Sequence, residues 1–276
     1  LSPTLELLMI AKMPFAKTCY MITKKDLCKL IFILLLLVCN FSFAQSDFRF
    51  GLKAGISIPN LQSSGDNPLS SGWSSRQGPY IGVDTDLRLD KNLYVQAELN
   101  YSSQGGKKDG VQAIPVSPEY ASFFPEGVPV PAYLYSSYSS EAKLNYLELP
   151  LMLKYEYPFS QKFSVFVNGG PYVGYLLSAK NVTSGTDNIY LDKTLTMPLL
   201  PAPVSFDANT DIKSDLTSFN VGVQAGIGFA YSLGTAGRLI LTGGGNYGLT
   251  HIQVDPANGQ NNTGAATITV GYLVNL

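Results

Sequence analysis

Thiols and imidazoles are almost missing from this 276-residue chain, which has three cysteines and one histidine. Cys19, Cys28 and Cys39 all fall before residue 44, so a chain shortened at that point has no disulfide, zinc-thiolate or cysteine-nucleophile chemistry open to it. His251 is the lone imidazole, and carboxylates clustered at metal-ligand spacing are missing as well. There is no G-x-S-x-G turn and no phosphate-cradling loop. The run GGG at 243–245 sits inside a strand pattern, where small residues relieve crowding, and no cofactor motif is present. Basic excess is also lacking: 19 Lys and Arg face 20 Asp and Glu, which excludes a nucleic-acid-binding surface. No amphipathic helix of convincing length can be drawn.

What is present begins with an apolar run from Leu30 to Val38, preceded by Lys24, Lys25 and Lys29 and followed by CNFSFAQ. Basic head, short apolar core and small residues at the cut are the order of a secretory signal. Ser42 and Ala44 place cleavage after Ala44, giving an N-terminal extension and signal over 1–44 and one domain over 45–276. A transmembrane helix needs about 20 apolar residues, and Asn40 and Ser42 interrupt this one too soon. A lipid-bearing Cys39 is the weaker reading, because Val38 stands where lipid attachment wants a small residue. Met21 can be the true start. Cutting after Ala44 removes five Lys and two acidic residues, leaving 14 basic and 18 acidic, a net charge near −4.

From Phe48 onward, alternation takes over. Phe48, Leu52, Ala54, Ile56 and Ile58 share one face of the first segment, and Arg49, Lys53 and Ser57 share the other, a strand apolar on one side only. The pattern returns at 80–89, 93–101, 145–157, 163–177, 219–231, 238–250 and 266–276, which makes eight strands. Short connections follow the second, fourth and sixth strands. The other connections run to roughly 18, 40, 40 and 15 residues. Up-and-down antiparallel strands with tight turns at one end and long loops at the other describe an outer-membrane β-barrel, with both termini and the short turns periplasmic.

A soluble β-sandwich also alternates, but its aromatics scatter. Here Phe48, Phe50, Tyr155, Tyr157, Phe163, Phe229 and Tyr231 collect at the short-turn end, and Tyr101, Tyr175, Phe219 and Tyr247 at the long-loop end. Two such belts are expected where a barrel crosses two lipid–water interfaces. Pro150 and Pro171 interrupt paired strands, so a bulge is expected at each, with side-chain parity able to shift after Gly170.

The segments FGLKAGISIPNLQ, LNYLELPLMLKYEY and NGGPYVGYLLSAK resemble the strand motifs of the Bacteroidetes outer-membrane β-barrel family, of porin-like or PorT-like type. The resemblance spans the whole chain after the signal, and the FAQ cleavage end is typical of that phylum. It implies an eight-stranded, all-β, antiparallel up-and-down barrel in the outer membrane, and little about activity. The C-terminal TVGYLVNL resembles the signal read by the barrel-assembly machinery, through Thr269, Gly271, Val274 and Leu276, although it ends on Leu rather than Phe.

If the apolar face meets lipid, the opposite face fills a barrel just wide enough for side chains. Arg49, Lys53, Arg88, Lys154 and Arg238 then face Asp84, Asp86, Glu98, Glu148 and Glu156. Unpaired charges in so narrow a space would cost several kcal/mol each. Mutual pairing into an ionic plug is therefore preferred to an ion pathway, and if Arg88 and Glu98 are partners, replacing both by Gln should do less harm than replacing either alone. A catalytic reading would use His251 with Ser178 or Thr250, and a rim histidine is more often a loop residue. The remaining candidates are the second loop, where residues 113–140 carry six aromatics and five prolines, and the third, with its apolar stretch 190–206. Tyr120, Phe123, Phe124, Tyr133, Tyr135 and Tyr138 are the expected contacts if these loops recognise an extracellular or secretion-system protein. The two loops packing on each other as a cap stands equally open. Outer-membrane lipid and, during insertion, the assembly machinery are the other expected partners of a monomeric barrel. A narrow pore and a secretion-accessory role are the alternatives.

Overall fold

The computed structural model describes residues 48–116, 124 and 130–276. Thirteen strands are formed among the described residues: β1 Phe48–Ser63, β2 Gly78–Asp90, β3 Leu93–Lys108, β4 Val111–Pro115, β5 Tyr133–Ser137, β6 Ser139–Pro158, β7 Phe163–Ser184, β8 Thr186–Asp187, β9 Val204–Ser205, β10 Ala208–Asp211, β11 Phe219–Ser232, β12 Arg238–Gly248 and β13 Asn261–Asn275. Eight of them close a ring in the order β1, β2, β3, β6, β7, β11, β12, β13, with β13 pairing back onto β1. Every neighbouring pair is antiparallel. The closed ring leaves no edge at mid-height, so every strand finds hydrogen-bond partners on both sides.

The apolar parity points outward. Leu52, Ile81, Leu151, Leu153, Ile227 and Val270 are each more than half exposed and together cover the outer wall. So continuous an apolar surface is that of a lipid-facing band. Its height can be read from β7 and β11. Phe163 packs on Tyr231 at 4.8 Å between ring centroids, and Tyr175 packs on Phe219 at 5.3 Å. These cross-strand pairs lie 12 positions apart along one ladder. At about 3.4 Å per residue and a tilt near 40°, the two aromatic levels stand roughly 30 Å apart, the thickness of a hydrocarbon core.

The strands outrun the alternating segments. β3 continues to Lys108, β6 starts at Ser139 and β7 continues to Ser184, so much of what reads as loop is paired strand. Residues 102–108, SSQGGKK, carry no apolar side chain on either face, which removes the contrast that marks a strand in sequence.

The prolines correct a second expectation. Leu149, Pro150 and Leu153 of β6 pair in unbroken register with Val173, Tyr172 and Gly169 of β7, and Pro171 faces Val223 of β11 without a shift. At each proline the ladder lapses over two positions and resumes in the same register, between Ala97 and Asn100 of β3 opposite Pro150 and between Pro150 and Leu153 of β6 opposite Pro171. The one irregularity between β6 and β7 falls between Asn145 and Tyr146, where Leu177 is the extra residue. Leu176 and Ala179 both point inward while Leu177 and Lys180 are exposed, so parity flips at Leu177 and not at Gly170.

Candidate functional site

The interior is layered. At the short-turn end, Glu156 accepts hydrogen bonds from Arg49 at 2.9 Å, from both terminal nitrogens of Arg238 and from Ser164 at 2.8 Å. Arg49 also donates to the Tyr94 hydroxyl at 2.9 Å and lies over the Tyr94 ring. Beside it, Lys154 pairs with Asp86 at 2.7 Å and sits 4.4 Å from the centroid of Phe166. One level higher, Lys53 bridges Glu98 at 2.6 Å and Asp84 at 3.1 Å. Asp84 and Glu98 are direct ladder partners, so their shared cation separates what would otherwise be two adjacent buried anions.

These contacts revise the expected set of five pairs. Glu98 is held by Lys53 rather than Arg88, which is exposed at the short-turn rim and donates to the Tyr94 hydroxyl. The ladder explains it: Arg88 stands opposite Tyr94, four residues down the strand from Glu98. Glu148 is almost fully buried and takes its hydrogen bonds from the amides of Gln104 and Asn246 in place of a cation. The cavity between Lys53, Tyr80, Glu98, Gln224 and Thr269 measures about 20 Å³, the size of one water.

Above Glu148 the interior turns apolar. Leu61, Ala142, Leu144, Tyr146, Leu176, Ala179, Leu216 and Ile252 form one buried cluster, with Trp73 and Ile212 packed against it. No strand pattern in the sequence marks this layer, because Trp73, Ile212, Leu216 and Ile252 come from the connections between ring strands. It also missed the four inward tyrosines Tyr80, Tyr94, Tyr146 and Tyr172, each 1–2 % exposed. Strand parity was the available signal: Tyr94 shares it with Gln96 and Glu98, and Tyr146 with Glu148.

Over this layer the second and third loops join. The β4–β5 hairpin pairs Ala113 with Tyr135, and Tyr135 exchanges backbone hydrogen bonds with Tyr190 at 2.8 Å. Ser136 donates to the Asn188 carbonyl, the Ser137 amide donates to Asp187, and Tyr138 stacks on Phe206 at 4.6 Å and 9°. Tyr133, Tyr135 and Tyr138 are thus half-buried parts of a two-loop layer, and Phe124 is half-buried at a bend. Tyr120 and Phe123 lie outside the described residues. Beneath the hairpin a cleft of about 610 Å³ is lined by Trp73, Lys108, Gln112, Tyr135, Tyr138 and Lys193, among others. Lys108 donates to the Leu69 carbonyl at 2.7 Å and lies 4.6 Å over the Trp73 ring.

The other candidates are scattered. Ser178 is on the outer wall, accepting from Asn145, and His251 is exposed in the connection after β12. The Thr250 hydroxyl accepts from the Val221 amide. Among the described residues no hydrogen bond joins these three into a catalytic set. Thr269 and Gly271 face the interior, while Val274 faces outward and Leu276, largely exposed, donates its amide to the Phe48 carbonyl.

The family described as outer membrane protein beta-barrel domain matches residues 43–254, which covers seven of the eight ring strands. The chain belongs to that family. The protein is therefore an outer-membrane β-barrel. No curated protein sequence matches it. Among solved structures it is similar to Neisserial surface protein A, at 10 % identity over 81 % of this chain and 96 % of that one, with a TM-score of 0.38. It is similar to the attachment invasion locus protein Ail of Yersinia pestis, at 10 % identity over 82 % and 99 %, with a TM-score of 0.36. It is also similar to the outer membrane protease OmpT of Escherichia coli, at 8 % identity over 83 % and 97 %, with a TM-score of 0.38.

Proposed function

We propose that this barrel is closed to solutes and acts at its long-loop end as a surface-recognition protein. In this reading it is exported by a signal removed after Ala44 and works as a monomer of the Bacteroidetes porin-like group. Its termini and short turns are periplasmic, and the barrel-assembly machinery reads its C-terminal strand through Thr269, Gly271, Val274 and Leu276. Its partner is an extracellular or secretion-system protein, contacted through the aromatic residues from Tyr120 to Tyr138.

The observation that carries this reading is the joined β-layer of the second and third loops above a 610 Å³ cleft. A cap needed only to seal the barrel would duplicate the apolar layer beneath it. The lumen supports closure, since Arg49, Lys53, Lys154 and Arg238 are each tied to buried carboxylates. Replacing residues 113–138 by a short Gly/Ser turn should leave a heat-modifiable barrel in the membrane and abolish the phenotype of a deletion strain complemented with the intact chain. Full function of the shortened protein, or failure of the barrel to assemble, would count against it. A narrow pore is the second reading, favoured by the polar cavity beside Gln224 and Thr269. Stable single-channel openings in planar bilayers would establish it in place of closure. A secretion defect on deletion would assign the partner to the secretion-accessory class of PorT type.

A further inference from the structure

The outer wall of β3, β6 and β7 changes character in three steps towards the long-loop end. Tyr101, Leu147, Tyr175 and Phe219 are successive ladder partners and form a lipid-facing aromatic row. Above it, Ser103, Asn145 and Ser178 are ladder partners joined side chain to side chain at 3.0 Å each, and Arg76 donates to Ser103 at 3.0 Å. Above that, Lys143 stands directly opposite Lys180. Lys107 lies two positions further along β3, opposite Glu141, and Lys213, just after the strand that pairs with Lys180, donates to the Leu177 carbonyl at 2.9 Å with its ammonium 5.8 Å over the Tyr175 ring. The Leu177 bulge is what turns Lys180 outward, since without it Lys180 would share the inward parity of Leu176.

Two lysines facing each other across a ladder repel, and a sheet in water alone has no reason to place them so. Acidic neighbours cover only part of this row. Glu141 pairs with Arg76 at 2.7 Å and with Lys143 at 3.2 Å, and Lys107 lies 3.8 Å from Asp109. Asp211 is the ladder neighbour of Lys180, but one of its carboxylate oxygens accepts from the Lys213 amide. Among the described residues neither Lys180 nor Lys213 has an ion pair. The lysine row lies four positions beyond the aromatic row, roughly 13 Å along a strand and roughly 10 Å in height, which is the level of lipid headgroups.

We infer that this wall is a binding site for the phosphate groups of an outer-leaflet lipid, gripped by Lys143 and Lys180 and flanked by Arg76, Lys107 and Lys213, while its acyl chains lie along the aromatic row. The site rests on the proposed orientation, with the long loops at the outer leaflet.

The test is retention of lipid by the purified barrel in detergent, read by native mass spectrometry and by competition. Bis-phosphorylated lipid A is compared with its dephosphorylated form and with inorganic phosphate. Wild type should retain the phosphorylated lipid, and Lys143→Gln with Lys180→Gln should weaken it on the order of thirtyfold. Lys143→Arg with Lys180→Arg should restore binding, and the wild-type comparison of the two lipids stands even if the Gln variant misfolds. Equal retention of the dephosphorylated lipid, an unweakened Gln variant that still shows the folded gel mobility, or displacement of the lipid by equimolar inorganic phosphate would each overturn the assignment. Protease accessibility of the loops on intact cells reports orientation separately: a periplasmic loop end would refute the surface-recognition reading and with it the outer-leaflet assignment, whereas lipid retention in detergent tests the phosphate grip by itself.

Discussion

Replacing Lys53 by Met should be among the most damaging single changes in the lumen. Lys53 is 8 % exposed and holds Glu98 at 2.6 Å and Asp84 at 3.1 Å. Those two carboxylates are ladder neighbours, 4 % and 6 % exposed. Met keeps most of the volume of the lysine stem, so little cavity forms and the loss is electrostatic. Removing one partner of a buried ion pair costs about 3–5 kcal/mol, and here two like charges are left side by side. Exchanging all three residues, Lys53→Met with Asp84→Asn and Glu98→Gln, removes the uncompensated charge and should bring stability back to within about 2 kcal/mol of wild type. Urea unfolding in lipid vesicles measures this, with the single tryptophan Trp73 as the fluorescent probe and gel mobility as the check on folding. A single variant less than about 1 kcal/mol below wild type, or a triple variant no more stable than the single one, would refute the electrostatic account.

Leu144→Ala and Leu153→Ala delete the same atoms from opposite faces of β6, one 1 % and the other 58 % exposed. The first should cost about 2–5 kcal/mol through the cavity it leaves in the apolar layer, and the second clearly less, by the same unfolding assay. Burial holds the Lys108 ammonium, which ordinarily titrates near 10.5, down to about 8. Between those values the unfolded chain keeps a proton that the folded one has released, so unfolding takes up a proton and stability rises with pH across that window. Lys108→Met should flatten the rise between pH 8 and 10, and parallel curves for the two proteins would contradict the burial account.

The sequence alone determined the barrel, because a chain with lipid outside and polar side chains inside must alternate with period two wherever it crosses the apolar layer. Arg49, Lys53, Glu98, Lys154 and Glu156 are legible as interior for that reason, and the aromatic belts because they end the apolar stretch. Beyond the lipid band the outer face turns polar while Ala142, Leu144 and Ala179 point inward, so the apolar parity fades in β3 and reverses in β6 and β7, and the upper halves of these strands disappear into apparent loops. Only the tertiary structure decided the partners. Strand tilt and stagger set Lys53, not Arg88, beside Glu98, and gave Glu148 amides in place of a cation. The position of the bulge was equally beyond the sequence: proline marks a missing donor, but an extra residue goes where neighbouring strands must accommodate it, here at Leu177. That one inserted residue places Lys180 opposite Lys143 on the outer wall, a juxtaposition that residues 37 positions apart acquire only through the closed sheet.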